Sequence, residues 1–555
     1  MHFALLDWSI VVLYLAAVFV AGALGQRYVS SAASFLVAGR RMGIHVGVIS
    51  LVATEIGIIT YMYYAEMGVL YGFAAFIAGL IPAAIYVLVG STGFVIQRFR
   101  ELELVTIPEF FDARYGRDVR VLAGVLMAVG GALNFGVFPI IEATFLNIVT
   151  GIPQAYIVWT MVALMAMVLL YTALGGMISV IVTNYIQYGV LAAAMVIITV
   201  ICLVDVGLGP MATTVQQRMG QSGFDPFAHQ AFGWPFLFWQ CLAWLALVTS
   251  WAPIAARTFA SEDTRTVKRV FVWTGFLSLA RAILPFLWGI AALTYLGGRR
   301  VPAIEALPTF LSEVLPAGVA GLVLAGMLAA SMSTYSGYLL AWSSVISEDV
   351  VIPLAGRQLS ARGHLLINRV TVLCLTVFIV GWGLFYVVPS ATYFYLQITA
   401  NLFLAGTFWT VVGGMYWKGA HRLGAYCSLV FGGSATLLYF VVDDPVRWTG
   451  TIGVVSYAAA FVGMAAGSLI ARRVSSPAGR AAWLALLGGS AVVAINWLMH
   501  PPGPHVWQYL WTATLVVSLV LFVGVSMWAL GGGVADLGRM FGQLGARDQP
   551  SNGKR

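Results

Sequence analysis

Two polar clusters interrupt long apolar stretches of the chain, and both contain residue types that can bind a cation. In segment 50–57 a hydroxyl, a carboxylate and a glycine fall together in the middle of an apolar run. In segment 329–336 the hydroxyl residues Ser331, Ser333 and Thr334 stand among Leu, Ala and Gly. Carbonyls freed at a helix break, together with neutral hydroxyl oxygens, can replace the hydration shell of Na⁺. Each cluster could therefore contribute ligands to a cation site, and the hydroxyl cluster would suit Na⁺.

A purely structural role for these polar groups stays open at this point. Hydroxyls in a helix commonly bond to their own backbone, and Glu55 could act as a hydrogen bonder between packed helices. Ionisable groups inside membrane spans are nevertheless costly, and each one marks a site by default. Glu142 and Arg281 could pair, which would make both structural, and the aromatic run 61–64 could line a cavity. The other polar groups in apolar stretches are Glu66, Asn134, Asn184, Gln187, Gln240, Gln397, Asn401 and Asn496.

Composition determines the class of protein. Of 555 residues, 61% are apolar and 9% are charged, whereas soluble domains carry about 25% charged residues. The net charge of +8 comes from basic residues that stand singly or in pairs between apolar segments, so it predicts no nucleic-acid partner. The four cysteines have neither metal-ligand spacing nor a disulfide pattern. We therefore expect an all-α polytopic membrane protein without a soluble catalytic domain.

A window of about 20 apolar residues, the length that crosses a hydrocarbon core, gives fifteen candidate spans. They lie near 5–25, 44–68, 73–97, 121–149, 154–175, 178–206, 233–256, 270–297, 317–346, 365–388, 391–416, 421–442, 450–471, 481–499 and 506–530. With the N-terminus outside, 24 Lys and Arg residues fall on the cytoplasmic side and 4 on the other, with Arg281 inside a span. Positive residues favour the cytoplasmic side, so we expect an external N-terminus and a cytoplasmic C-terminus in the inner cell membrane. Segment 98–120 is long and mixed in charge, and could form an amphipathic interfacial helix.

Six motifs in order along the chain resemble the sodium:solute symporter family, whose members include bacterial proline, sialic acid and sugar cotransporters. The motifs are Ser34 to Arg40; Ser50 to Gly57 with Tyr71-Gly72; Thr106 to Phe111 with Arg114-Tyr115-Gly116; Tyr171-Thr172, Gly175-Gly176 and Thr183 to Gln187; Ala329 to Thr334 with Leu339-Leu340, Ser343-Ser344 and Glu348-Asp349; and Trp417 to Ala420 with Gly424-Ala425.

The resemblance implies a LeuT-like core of two inverted five-helix repeats. The first helix of each repeat would be broken near the bilayer midplane, at Glu55 to Gly57 and at Ser250 to Pro253. The expected divisions are 1–43 for an extra helix and the first loop, 44–206 and 233–416 for the repeats, 417–530 for about four extra helices, and 531–555 for a disordered cytoplasmic tail.

The resemblance also implies which residues bind the coupling ion and the solute. Sodium would be held by the backbone carbonyls of Ala53, Ile56 and Ala330 and the hydroxyls of Ser333 and Thr334. The expected partners are Na⁺, a small organic solute and the bilayer, with no cofactor; the sequence leaves the oligomeric state open. The candidate pocket residues are Glu55, Tyr61, Asn134, Trp244 and Gln397.

Two departures from the family pattern bear on stoichiometry. Asn184 stands where the family signature usually has Asp, and Gly337 replaces one of the serines with which some members build a second sodium site. We therefore expect one Na⁺ per cycle, and Asn184→Asp with Gly337→Ser could restore the second site. The alternatives to sodium symport are proton coupling through Glu55 or Glu142, a transporter-like nutrient sensor that needs a separate signalling partner, and a membrane-embedded enzyme.

Overall fold

Helices account for the regular structure of the described chain, apart from one β-bridge between Met42 and Ser261. The computed structural model describes residues 3–26, 36–229, 232–355, 360–386, 392–440 and 445–472, together with 527, 530, 532 and 536–540.

We number the α-helices in chain order; short 3₁₀ and π segments extend or join several of them. They are α1 (Leu5–Gln26), α2 (Ile44–Glu55), α3 (Ile58–Tyr71), α4 (Ile77–Thr92), α5 (Ile96–Glu101), α6 (Ile107–Tyr115), α7 (Arg117–Gly136), α8 (Phe138–Thr150), α9 (Ile157–Ile201), α10 (Leu208–Met219), α11 (Gly233–Ser250), α12 (Ala252–Ala260), α13 (Thr264–Leu296), α14 (Ala306–Val314), α15 (Val319–Ser344), α16 (Ile352–Ala355), α17 (Ala361–Phe385), α18 (Thr392–Tyr416), α19 (Arg422–Thr436) and α20 (Pro445–Arg472).

Within the described ranges, nine helical segments are long and apolar enough to cross a membrane, or ten if the bent pair α11–α12 counts as one span. The number is lower than the predicted fifteen partly because α2 and α19, with 12 and 15 residues, are shorter than a full crossing. The predicted spans 481–499 and 506–530 lie outside the described residues, apart from positions 527 and 530. The helix α9 also runs through the break that we predicted between the fifth and sixth spans.

Segment 98–120 does not form the single helix that we predicted. This segment forms α5, α6 and the start of α7, with turns between them. Nε of Arg100 donates to the carbonyl of Ser261 at 2.6 Å, and Nε of Arg120 lies 2.9 Å from the carboxylate of Asp349. These arginines therefore attach the segment to the chain that follows α12 and α15, in addition to any role in topology.

Part of the predicted disordered tail is ordered. Residues 536–540 are helical, and the buried carboxylate of Asp536 accepts the backbone N–H of His45 at 2.9 Å. This bond satisfies a free donor in the first turn of α2, where a negative charge is also favoured by the helix dipole. The disorder expected for the rest of 531–555 concerns residues outside the described part.

Glycines let α3 and α13 approach each other closely. A Cβ atom added to Gly68 would lie 2.2 Å from the carbonyl oxygen of Phe286, and one added to Gly289 would lie 2.0 Å from that of Ala65. Small residues at such crossings are the usual means of close helix packing in membranes. The contact holds the second half of the broken helix against the buried helix α13.

We expect Gly289→Ala to destabilise the protein strongly, because the added methyl group collides with backbone that cannot rotate away. Overpacking of this kind costs about 1–3 kcal/mol or more. Gly209→Ala is the matched control: it also lies in a helix, nothing stands within 4 Å of its added Cβ, and alanine is the better helix former. Thermal unfolding of both purified variants checks this, and a Gly289→Ala midpoint equal to that of the control would contradict the close crossing.

Candidate functional site

The break predicted in the second span is confirmed. The helix α2 ends at Glu55, Ile56 and Gly57 are extended with ψ of 96° and 172°, and α3 begins at Ile58. The first backbone donors of α3 thus lack partners within the helix. Oε1 of Glu142 accepts one of them, the N–H of Ile59, at 3.1 Å. The interruption therefore exposes carbonyls at the end of α2 and places a carboxylate at the start of α3.

The hydroxyl cluster of α15 packs directly against this break. Oγ of Ser333 donates to the carbonyl of Ala53 at 2.7 Å and also lies 2.9 Å from that of Ala330, three residues earlier in its own helix. The Thr334 hydroxyl is buried and has no partner among the described residues, and it would lie 3.0 Å from a Cβ added to Gly57. The fold thus brings Ala53, Ala330, Ser333 and Thr334 to one place beside Ile56. These five residues form the candidate sodium site.

The second predicted break is also confirmed. The helices α11 and α12 meet at the extended residue Trp251, where the chain direction bends by 44°. Pro253 lies in the first turn of α12, where its missing N–H costs nothing. Both breaks border the same internal cavity, to which Glu55 and Trp251 contribute.

This cavity of about 60 Å³ has room for only a few water molecules. Four of the five predicted pocket residues line it: Glu55, Asn134, Trp244 and Gln397. The fifth, Tyr61, does not; its ring packs against Trp288 with centroids 5.3 Å apart. Two positions along a helix turn a side chain by about 200°, so Tyr63 faces the cavity instead. The remaining lining residues are Ile59, Thr60, Phe138, Leu247, Trp251, Arg281, Thr334, Tyr338, Tyr393, Leu396 and Ala400.

Arg281 pairs with Glu55 and not with Glu142. Nη1 of Arg281 donates to the backbone carbonyl of Glu55 at 3.1 Å and lies 3.4 Å from its carboxylate. Glu142 instead accepts from the N–H of Ile59 and from the hydroxyl of Ser331. Its carboxylate thereby links the start of α3 to α15, next to the candidate sodium site, which joins α2 and the break to the same helix α15.

The sequence analysis treated Arg257 only as one of the basic residues that determine the orientation in the membrane. In the structure it is completely buried beside the break between α2 and α3. Nη2 donates to the Thr54 hydroxyl at 2.5 Å, Nη1 to the carbonyl of Pro253 at 3.1 Å, and Nε to the Ser50 hydroxyl at 3.4 Å. A Cβ on Gly337 would lie 2.7 Å from Nη2. The signal in the sequence was Pro253, four residues earlier, because a proline there marks the first turn of a helix and so places Arg257 in the second turn of that helix.

Asn184 belongs to the same polar cluster. Its Nδ2 lies 3.3 Å from the hydroxyls of both Ser50 and Thr54. Position 337 therefore lies against the guanidinium of Arg257, and Asn184 shares with that guanidinium the hydroxyls of Ser50 and Thr54.

Two broken helices around an internal cavity, with a hydroxyl-rich helix packed on one break, define a multi-pass membrane transporter with a LeuT-like core. A profile of the sodium:solute symporter family matches residues 35–432, and the chain belongs to this family. Its function is therefore Na⁺-coupled symport of a solute.

Known relatives agree with this assignment. A sodium/sialic acid symporter of Proteus mirabilis is 23% identical over 397 residues, which cover 68% of this chain and 77% of the relative. A sodium/pantothenate symporter of Escherichia coli is 27% identical over 429 residues, covering 74% and 84%. The solved structure of a Na⁺-coupled sialic acid symporter in a substrate-bound, outward-open state superposes with a TM-score of 0.73 at 20% identity, covering 84% of this chain and 98% of the other.

Proposed function

We propose that the chain moves one Na⁺ together with one small organic solute per cycle, and that the ion binds between the break in the second span and α15. The observation that carries this proposal is the contact of Ser333 and Thr334 with the break, because it gathers two hydroxyls and freed carbonyls in a buried place. The unpartnered Thr334 hydroxyl fits a cation site, since buried polar groups normally have a partner.

Sodium bound here would hold α2 and α15 together. An ion that binds one conformation better than another shifts the equilibrium toward it by its differential affinity. The membrane potential adds about 2.3 kcal/mol per charge per 100 mV, enough for accumulation by tens-fold per sodium ion. The solute would bind in the adjoining cavity, with Glu55, Asn134, Trp244 and Gln397 as candidate contacts.

The proposed stoichiometry of one sodium rests on Arg257. Its guanidinium lies against Gly337 and bonds to the hydroxyls of Ser50 and Thr54, so a fixed positive charge stands where a second cation would need oxygen ligands. With this charge in place, Asn184→Asp with Gly337→Ser is not expected to create a second site. A Cβ at position 337 would also lie 2.4 Å from Cγ2 of Thr54.

Sodium dependence measured on this double variant checks the point. We expect a Hill coefficient of about one, as in the parent protein, because the guanidinium still repels a second ion. Asn184→Asp alone is the control, since it adds the charge without the steric conflict at position 337. A coefficient near two in the double variant would show that the cluster accepts a second sodium.

Proton coupling is the alternative mechanism, through Glu55 or Glu142. The contacts favour sodium: Glu55 is paired with Arg281, and both oxygens of Glu142 accept hydrogen bonds. Glu142 therefore has a structural task at the break that does not require proton exchange.

The experiment uses purified protein and a thermal-shift screen of small carboxylates, amino acids, sugars and vitamins in NaCl or choline chloride, because ligands stabilise the folded state by mass action. Each hit is then tested for uptake into proteoliposomes under a sodium or a proton gradient. We expect stabilisation that needs Na⁺ and uptake driven by the sodium gradient. Uptake driven by a proton gradient without Na⁺ would contradict the proposal.

The orientation belongs to the proposal as well. Because 24 of the 29 basic residues fall on one predicted side, we expect a reporter at the C-terminus to be cytoplasmic. Alkaline phosphatase fused to the C-terminus should be inactive, because it would stay in the cytoplasm, and alkaline phosphatase fused to the N-terminus should be active in the periplasm. The reverse pattern would contradict the predicted orientation.

A further inference from the structure

One edge of the Arg281 guanidinium has no protein partner among the described residues. Nη1 bonds to the backbone carbonyl of Glu55, but Nε and Nη2 are buried without any hydrogen-bond acceptor. Leaving a buried donor unmet costs about 1–3 kcal/mol, more for a charged group. Two such donors on one side chain that lines the cavity indicate a ligand that satisfies them.

The geometry of the Nε–Nη2 edge of Arg281 indicates which chemical group can bind there. Nε and Nη2 point their N–H bonds in parallel from the same side of the planar group, which matches the two oxygens of a carboxylate. The stem of Arg281 is fixed, because Glu55 bonds Nη1 and the ring of Trp244 lies 5.3 Å from Cζ. The free edge is thus already oriented, and little side-chain entropy is lost on binding.

The local charges also favour an anion. Arg281 lines the cavity and Arg257 bonds to Thr54, next to Glu55. Among the described residues, the carboxylates that contact the break or line the cavity beside it are Glu55 and Glu142. When one Na⁺ is bound, three positive charges face two negative ones, and a solute with a single negative charge makes the region neutral. Burial of an uncompensated charge is costly, so this balance opposes a neutral solute.

We infer that the transported solute is a small organic carboxylate, whose two oxygens accept hydrogen bonds from Nε and Nη2 of Arg281. This inference rests on the proposed function. Six of the sixteen residues that line the cavity are aromatic, with Tyr63, Trp244 and Tyr393 among them. The body of the solute can therefore contact ring faces while its carboxylate binds Arg281.

The test compares each carboxylate with its own amide, which has similar shape but no charge. The probes are monocarboxylates from acetate to phenylpropionate and the matching amides, added to purified protein in NaCl, with the thermal unfolding midpoint as the readout. We expect at least one acid to stabilise the protein while its amide does not. Arg281→Lys keeps the charge but loses the parallel pair of donors, so the apparent affinity for that acid should fall about tenfold or more.

Arg299→Lys is the matched control. Arg299 also forms a bidentate pair with a carboxylate, that of Glu313, at 2.8 and 2.7 Å, but this pair lies on the exposed surface. This variant should leave the affinity unchanged. Amides that stabilise as well as acids, the absence of any acid-specific shift, or an Arg281→Lys variant with parental affinity would each overturn the inference. The shift caused by Na⁺ alone is recorded in parallel. If the shift caused by Na⁺ persists in Arg281→Lys, that variant is folded, and a negative carboxylate result then contradicts only the carboxylate inference. If the parent protein itself shows no shift with Na⁺, the proposed sodium coupling has failed.

Discussion

Replacing Ser333 and Thr334 together by alanine is expected to abolish Na⁺-dependent transport. The change removes two of the five proposed oxygen ligands and leaves the carbonyls of Ala53, Ile56 and Ala330 alone with the ion. Contacts to a charged group contribute about 1.5–3 kcal/mol each, so the sodium affinity should fall about a hundredfold or more. Uptake into proteoliposomes over a range of NaCl concentrations measures this loss.

The control is Ser336→Ala with Ser343→Ala. It removes the same number of buried hydroxyls from the same helix, and among the described residues each of these bonds only to a carbonyl of α15, at 3.1 Å. This variant should keep the parental sodium dependence. If the first double variant behaves like the control, the site has been assigned to the wrong residues.

Glu142→Gln is expected to weaken sodium binding without changing the coupling ion. The carboxylate holds the start of α3 through Ile59 and contacts Ser331 on α15, so it supplies a negative charge beside a site whose proposed ligands are all neutral. At an effective dielectric constant of about 20, two opposite charges within one or two contact distances attract each other by about 2–4 kcal/mol, so the sodium affinity should fall about thirtyfold or more. Sodium-dependent thermal stabilisation of the purified variant reports the change.

Glu66→Gln provides the comparison for this charge effect. Glu66 is also a buried carboxylate that accepts a backbone N–H, that of Thr392 at 3.0 Å, but it lies more than two turns along α3 from the break. Its substitution should leave sodium affinity nearly unchanged. Equal losses of sodium affinity in both variants would mean that the loss comes from general destabilisation. If a proton gradient drives uptake by the parent protein but not by Glu142→Gln, this would support proton coupling.

Much of this architecture could be predicted from the sequence because the signals are local. Glu55 to Gly57 joins a charged residue to a glycine inside an apolar run, and Pro253 removes a backbone donor; both predict breaks that depend little on distant contacts. The hydroxyl cluster at 331–334 is recognisable in the same way. Hydropathy also predicted the class of protein, since a bilayer imposes a minimum length on every unbroken span.

The features that could not be predicted depend on which side chains meet across the fold. Arg281 pairs with Glu55 and not with Glu142, the partner that we considered from the sequence, because the choice is determined by how α13 packs against the end of α2. The rotation of α3 turns Tyr61 toward Trp288 and Tyr63 toward the cavity, and a run of aromatic residues contains no signal for this difference. Arg257 resembles any basic residue at the end of a span, and only its contacts with Ser50 and Thr54 distinguish it.

Direct binding of radioactive ²²Na⁺ to the purified protein tests the central claim, and it does so before the solute has been identified. We predict saturation at one sodium ion per chain, a Hill coefficient of about one, and loss of binding in the Ser333→Ala, Thr334→Ala variant but not in the Ser336→Ala, Ser343→Ala control. Saturation at two ions per chain, or undiminished binding in the first variant, would contradict the claim.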